Sequence, residues 1–430
     1  MLLKSKIIFS IYKITTAIIA PLGLIFLCYK RRKDPSYGKK VFELLGYYRQ
    51  RFNKCVCFHA ASFGEVNSLK PLIEAFIKKF PDEQVVLSTM TTTGALAASR
   101  ISGITVLFSP LDSPCAVRRF FRRINPKALF IIDTELWPNM LNAAHKAKCK
   151  VVLVNARMQE KNCIKYQNHI AIVKDILSSN LDRVICSSKD AAERFSRIGV
   201  PHERICVSGN IKYDLAPNEQ RFESSRQFKE NTIRGMVIGA ISTHDGEEKL
   251  LIDAFLELKK KFKQLSLVLV PRHASGIKIA ADLLKDRKQK FFKRNAVGEI
   301  VPDFTNHILL GNTIGEIETY FGLCDLVFMG GSFTEVGGHN PLEPAYFAIP
   351  SITGPNYWNF QETFDKLIDT EGAFLASDYD SLVLFLNKLL KDRQLIEKAG
   401  IRALDIQQEG RGALKFTIEQ LAAILASAKE

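Results

Sequence analysis

Short apolar runs alternate with amphipathic segments along almost the whole chain, and this alternation restricts the fold more than any other feature. CVCFHAA, QVVLSTM, ITVLFSP, KALFIID, KVVLVNA, RVICSS and ERICVSG follow one another between residues 55 and 209. Segments such as VNSLKPLIEAFIKKF and KDAAERFSRIG lie between them, with apolar residues recurring every three or four positions. Strands of about four to seven residues alternating with longer helices predict a parallel sheet covered on both faces. From residue 211 to 234 the pattern lapses into polar sequence, which reads as a linker. It then restarts with GMVIGA, LSLVLVP, HILLG, DLVFMGG and PSITG and closes on helices rich in Leu, Ala and charge. The expected architecture is α/β with two successive open sheets, in residues 36–215 and 216–430, the terminal helices belonging to the second. Ligands of such sheets bind beyond the carboxyl ends of the strands, so the expected site is a cleft between the two sets of strand ends.

The first 35 residues form a separate expectation. Apolar or small residues run from Ile7 to Tyr29, broken only by Lys13, and Lys30, Arg31, Arg32 and Lys33 follow. Roughly 20 apolar residues span a bilayer core, and a basic cluster tends to stay cytoplasmic. Lys-Arg-Arg-Lys stands where a signal peptide would have its cleavage site, so a retained membrane anchor is predicted. The rival is a helix lying in the interface, since Lys13 and Pro21 interrupt a clean span. The chain carries +15 overall, and residues 1–50 hold ten Lys and Arg against Asp34 and Glu43. Nine cysteines without C-x-x-C pairs and eight histidines without H-x-x-x-H spacing predict neither a disulfide framework nor a metal site.

The polar motifs fall at predicted strand ends. In HAASFGE, Ser62-x-x-Glu65 is a capping box, while the same carboxylate, partly desolvated, has the makings of a general base. DTELWPN puts Asp133 and Glu135 on one side of the chain if the strand persists, with Trp137-Pro138 ending it by packing; both acids also fit a solvated surface. GNIKYD offers Lys212 either as a surface charge or to neutralise a leaving phosphate. STHDGEE opens a helix, and Arg272 and His273 of PRHAS suit a phosphate or a base edge, or a helix cap.

GGSFTEVGGHNPLEP reads as a strand end followed by a helix with Asn340 as N-cap and Pro341, Leu342 and Glu343 as its first residues. The glycine pairs leave bare N–H groups for a phosphate, and Glu343 fits either a capping acid or an acceptor for ribose hydroxyls. A nucleotide satisfies both features. Neither G-x-G-x-x-G after the first strand nor G-x-x-x-x-G-K-[ST] is present, which argues against hydride transfer and ATP hydrolysis. RRFFRR, Arg118 to Arg123, fits an acidic lipid at a membrane surface or a solvated helix face; no RNP, KH or helix-turn-helix pattern accompanies it, so no nucleic acid partner is expected.

Taken in order, HAASFGE, STMTTTG, SPLDSP, DTELWPN, VNAR, GNIKYD, STHDGEE, PRH, IGEIETYF, GGSFTEVGGHNPLEP and GPNYWNF resemble the 3-deoxy-D-manno-octulosonic acid (Kdo) transferases of lipopolysaccharide synthesis, over nearly the whole chain. The resemblance implies a GT-B glycosyltransferase that needs no cofactor and no metal and moves Kdo from CMP-Kdo to a phosphorylated lipid A precursor with inversion. It implies a place at the cell inner membrane, anchored once by the N-terminal helix, with the catalytic domains on the cytoplasmic side. Glu65 matches the family's general base, and Glu135 and Lys212 match positions assigned to transition-state stabilisation. Arg272, His273, Ile314, Gly315, Glu316, Asn340, Pro341, Leu342 and Glu343 match CMP-binding positions, Ile314 mainly through its backbone. The family's usual pattern differs at Ala61 (Val or Ser), Phe63 (Val) and Asp133 (Glu). The alternatives are another GT-B transferase or an epimerase using a UDP sugar, and a non-catalytic membrane adaptor of the same fold.

Overall fold

A computed structural model describes residues 2–30, 41–214, 217–294, 303–313 and 315–427, with side chains for all of these except 26–30 and 41. The basic residues 31–33, the expected boundaries at 35/36 and 215/216, and Ile314 lie outside the described residues.

The chain divides into two compact units, residues 1–214 with 411–430 and residues 215–410. In the first, β1 (Cys55–His59), β2 (Val85–Thr89), β3 (Ile104–Phe108), β4 (Pro126–Ile132), β5 (Lys150–Ala156), β6 (Arg183–Cys186) and β7 (Ile205–Val207) form one sheet in the order β3-β2-β1-β4-β5-β6-β7. Every pairing is parallel. Successive residues face opposite sides: Cys55, Cys57, Leu129 and Ile131 enter one core, and Val56, Phe58, Ala128 and Phe130 the other. On the second side Phe58, Phe76 and Phe130 meet edge to face at centroid distances of 5.2–6.0 Å, each ring contributing about 1.5–3 kcal/mol by burial. Ser62, Thr91, Ser113 and Ser188 each cap the helix after a strand by accepting from the backbone N–H three residues on. The eight cysteines whose side chains are described are free thiols.

The second unit repeats the plan. The strands β8 (Val237–Thr243), β9 (Ser266–Pro271), β10 (Phe291–Arg294), β11 (Ile308–Gly311), β12 (Leu326–Met329), β13 (Ser351–Thr353) and β14 (Ala373–Leu375) pair in the order β10-β11-β9-β8-β12-β13-β14, again all parallel. In each sheet the winding reverses beside the first strand, between β1 and β4 and between β8 and β12, which is where crevices open beyond the strand ends.

Two expectations are corrected. The polar stretch 211–234 is not a linker. It begins with a 3-10 turn, Ile211–Tyr213, and continues as a helix, Glu219–Thr232, that buries Phe222, Ser225 and Lys229. Phe222 stacks on Phe347 at 3.9 Å and Lys229 pairs with Asp325 at 2.5 Å, so a few residues anchor a helix whose average composition is polar. The last helix, Ala413–Ser427, belongs to the first unit, not the second. Leu421 and Leu425 fill the core beside Phe76, and Asp214 caps the helix by accepting from the N–H groups of Gly412 (2.7 Å) and Leu414 (2.6 Å).

Candidate functional site

In the first unit the chemistry gathers at the ends of β1, β4 and β5 and on the turn after β7. Glu65 occupies the first turn of helix Phe63–Lys79. Its Oε2 accepts from Ala61 N–H at 2.7 Å, its Oε1 from the Ser62 hydroxyl at 2.8 Å, and Ser62 Oγ accepts in return from Glu65 N–H at 3.4 Å. The capping box is therefore real, and it fixes the carboxylate at the mouth of the turn. Burial raises its pKa above the ordinary value, the bonds from Ser62 and Ala61 oppose the rise, and the nearby charges of Glu135 and Asp133 add to it.

Asp133 and Glu135 do not lie on a continuing strand. Strand β4 stops at Ile132, and Asp133 turns the chain with φ +55°. Asp133 Oδ1 accepts from Asn155 Nδ2 at 3.1 Å and lies 3.9 Å from Arg157 Nε. Glu135 Oε2 accepts from the Trp137 indole at 2.7 Å, so Trp137, packed against the core, also orients the acid. Lys212 stands on the Ile211–Tyr213 turn, whose first N–H is held by Asn155 Oδ1 at 3.1 Å. Its pKa falls to about 8, through burial and the neighbouring Arg157, despite the opposing pull of Asp133 and Glu65. Glu65, Asp133, Arg157 and Lys212 thus share one electrostatic neighbourhood. The Nε and Nη2 atoms of Arg157 are buried without a hydrogen bond. His59, from the same motif as Glu65, is a core residue bonded to Ser88 at 2.9 Å and kept neutral by burial, which brings its pKa down to about 4.

In the second unit the glycine-rich loop after β12 does not offer its bare backbone in the way its sequence suggests. Glu247, 1% exposed at the start of helix Glu247–Lys259, accepts from the N–H groups of Gly331 (2.7 Å), Ser332 (2.9 Å), Phe333 (2.9 Å) and His244 (2.9 Å). Gly337 and Gly338 donate to Gly331 O at 3.1 and 2.8 Å. The glycines serve close approach: a Cβ on Gly330 would collide with the backbone of Ser242 and Thr243. Glu247 thereby ties the end of β8 to the end of β12.

Around this knot stand Arg272 and His273, exposed just past β9, with Arg272 N–H bonded to Thr243 O at 2.9 Å. His244 and His339 meet Nε2 to Nε2 at 2.9 Å, and His273 packs edge-on to His244 at 5.3 Å. Burial, then Arg272 and the other two imidazoles, brings the His339 pKa down to about 4, and burial lowers that of His244. Two neutral rings therefore share one proton, one donating and the other accepting. Helix Leu342–Tyr346 starts one residue later than expected and is five residues long. Asn340 Oδ1 accepts from Leu342 N–H at 3.2 Å, and its side chain also bonds Glu343. Glu343 rises to about 7, chiefly through burial, while Asn340 and Arg272 hold it down. Pro341 and Leu342 are buried.

The remaining candidates sit differently. Gly315, at φ +83°, has open space where a Cβ would be, and its carbonyl accepts from Arg221 at 2.7 Å. Glu316 is 3% exposed and paired with Arg294 at 3.3 Å, and it also accepts from Thr313. Its carboxylate is thus engaged within the fold. Among the described residues no group of three His, Cys, Asp or Glu is placed to hold a metal ion.

Asn155, Arg157, Glu247 and the His244–His339 pair received no role from the sequence. VNAR marked the first two as a strand end but gave no partner, and STHDGEE reads only as the opening of a helix, although Glu247 and Glu248 are both buried. The one usable signal was His244-x-x-Glu247, the spacing at which an acid returns to the N–H at a helix start.

Residues 39–215 match the family described as 3-deoxy-D-manno-octulosonic-acid transferase (kdotransferase). The 3-deoxy-D-manno-octulosonic acid transferase of Haemophilus influenzae is 32% identical over 415 residues, covering 94% of this chain and 96% of that one. Its counterpart from Bordetella pertussis is 28% identical over 357 residues, covering 80% and 82%. Among solved structures, the UDP-GlcNAc 2-epimerase of Neisseria meningitidis bound to UDP-GlcNAc covers 86% of this chain and 99% of its own with a TM-score of 0.56. At 15% identity this last likeness is one of fold, the two-unit α/β architecture of GT-B type.

Proposed function

Because the chain belongs to the Kdo transferase family and is thus a glycosyltransferase, we propose that it moves Kdo from CMP-Kdo to an acidic, phosphorylated lipid A precursor, lipid IVA, at the cytoplasmic face of the cell inner membrane. The acceptor hydroxyl gives its proton to the Glu65 carboxylate as its oxygen bonds to the anomeric carbon of Kdo. The bond from that carbon to the phosphate oxygen of CMP breaks on the opposite side, so configuration inverts and CMP leaves with the electron pair. Glu65 suits the task because burial raises its basicity while Ala61 and Ser62 hold it in place. Glu135 and Asp133 supply negative charge to ease the positive charge growing at the anomeric carbon.

Lys212 and Arg272 supply cations for the departing phosphate, and with them the step needs no metal. His273 adds a donor beside Arg272, and Glu343 in its ionised form accepts from the paired ribose hydroxyls. Gly315 and Glu316, with Ile314, meet the cytidylate through their backbone. The observation that carries this reading is the neighbourhood of Glu65 and Lys212, a half-buried carboxylate of raised pKa within the field of a lysine of lowered pKa.

The test is mass spectrometry of the lipid formed from CMP-Kdo and a tetra-acylated, bis-phosphorylated acceptor. Mass increments of whole Kdo units are expected, and Glu65→Gln is expected to abolish them while CMP still binds. No increment with the unaltered protein, or stronger competition by UMP than by CMP, overturns the reading.

A further inference from the structure

Residues Leu3–Ile25 are long and apolar enough to cross a bilayer, yet one face of this helix is fastened to the first unit along that entire length. Ser5 and Phe9 are buried, and Tyr12, Thr16, Ala20 and Leu24 partly so, at steps of three or four that make one continuous stripe. Leu2 N–H donates to Asp175 at 2.7 Å, Phe9 enters the sheet core, Tyr12 donates to Asp112 at 2.8 Å, and Asn139 donates to Thr16 at 3.1 Å. Leu24 still packs on Leu44 and Phe108. The opposite face carries Ile7, Ile11, Ile14, Ile18, Leu22 and Ile25, each more than half exposed. A crossing helix needs lipid or apolar partners around it through the whole hydrocarbon layer. This one would drag Asp112, Asp175 and the charged body they belong to into that layer, where each ionised group would lose its hydration.

The flank of the same helix explains its one interior charge. Lys13 lines a pocket of about 410 Å³ with Arg118, Arg122 and Lys146, beside the amide of Asn142 and the ring of Phe121. Among the described residues lining it there is no carboxylate. The RRFFRR motif is split by the helix period. Arg119 and Arg123 bond the backbone carbonyls of Leu45 (3.0 Å), Tyr48 (3.0 Å) and Arg49 (2.7 Å), whereas Arg118 and Arg122 are exposed and face the pocket. Four cations around one hollow repel one another unless an anion joins them.

We propose that the Leu3–Ile25 helix lies in the plane of one leaflet with its isoleucine face in the acyl boundary, and that the adjoining four-cation pocket holds the phosphate of an anionic phospholipid of that leaflet. The proposal does not depend on the donor, acceptor or base assignments. Two measurements on the full chain test it, both with vesicles of phosphatidylethanolamine containing phosphatidylglycerol. In the first, Ile7→Trp, Ile14→Trp and Leu22→Trp are quenched by lipids brominated at shallow or deep acyl positions, with the native Trp137 and Trp358 as baseline. Equal quenching of all three, strongest with shallow bromines, is expected; a gradient with Ile14→Trp deepest shows a span and overturns the in-plane helix. In the second, R118Q/R122Q is expected to bind these vesicles about thirtyfold more weakly, the worth of two cations near an acidic leaflet, with binding to uncharged vesicles unchanged. Unchanged affinity for the acidic vesicles, including the case in which only KM for the acceptor lipid rises, overturns the headgroup site.

Discussion

Asn155 bridges Asp133 and the backbone before Lys212: its Nδ2 donates to Asp133 Oδ1 and its Oδ1 accepts from Ile211 N–H, both at 3.1 Å. It is fully buried and adopts φ +53°, a conformation that asparagine tolerates better than most residues. Asn155→Ala leaves the Ile211 N–H unpaired and adds backbone strain, together about 2–4 kcal/mol. The expected result is a first-unit melting temperature several degrees lower and a reduced kcat, with CMP affinity unchanged. Asn155→Gly, which accepts the positive φ, should be the more stable of the two variants in calorimetry.

The rate of transfer should be bell-shaped in pH. Glu65 must be ionised to take a proton, and its raised pKa moves the acid limb above that of an ordinary carboxylate. In the proposed step Lys212 acts as a cation, and with a pKa near 8 it loses its charge as pH rises through that value, so the alkaline limb should fall there. Lys212→Arg keeps a cation at every accessible pH and should remove the alkaline limb from the kcat profile, whatever its absolute rate. A wild-type profile that stays flat from pH 7 to 10 refutes the role of Lys212.

The sequence made the sheets legible and the hydrogen-bonded knots at their strand ends much less so. Short apolar runs repeated between amphipathic segments announced both doubly wound sheets, because each strand must bury both faces whatever the ligand. Glu65 was legible twice over, since the spacing that makes it a cap also places it at a strand end. The helix Glu219–Thr232 escaped because two phenylalanines and one buried ion pair, rather than a long apolar stripe, hold it down. The glycine-rich loop misled in the opposite sense. The N–H groups of Gly331, Ser332 and Phe333 are spent on Glu247, a residue 84 positions away from Gly331, and no local pattern reports so distant a partner.

CMP binding should release a proton. Glu343 has a pKa of about 7, and only its ionised form offers both oxygens as acceptors to the pair of ribose hydroxyls in the proposed complex. Affinity should therefore rise with pH and level off above 7, by up to about tenfold per unit well below it. Titration calorimetry in buffers of different ionisation enthalpy reads the proton directly, and Glu343→Gln should lose the part of the release and of the pH dependence that exceeds the titration of the CMP phosphate itself, which lies at about pH 6. The stability effect has its own sign. The folded pKa lies above the unfolded 4.5, so the folded state holds more protons between those values and stability falls as pH rises from about 4.5 to 7. Glu343→Gln should flatten that decline, by about 1–3 kcal/mol.

Glu247→Gln tests the knot in the second unit. Each carboxylate oxygen accepts from two backbone N–H groups, so an amide must turn its NH2 towards two donors. The clash and the unpaired groups cost about 2–5 kcal/mol. CMP affinity should collapse while binding of the acceptor lipid persists, which equilibrium binding of each ligand separately will show. Retention of full CMP affinity refutes the role of this carboxylate in shaping the donor loop.

Arg157 offers the most discriminating substitution in the first unit. Its charge is one reason the Lys212 pKa is low, and its Nε and Nη2 atoms are buried without hydrogen bonds, Asp133 Oδ1 lying 3.9 Å from Nε. Removing a like charge beside a buried ammonium makes protonation easier, so in Arg157→Gln the alkaline limb of the kcat profile should move to higher pH. Asp133 and Glu65 remain and continue to favour the charged lysine, which reinforces the direction. A residue that merely supported the fold would lower kcat or melting temperature and leave the limb where it was. Lys212→Arg combined with Arg157→Gln closes the cycle. With no titrating lysine left, the shift should vanish, and any movement of the alkaline limb that survives in the double variant must come from a group other than Lys212.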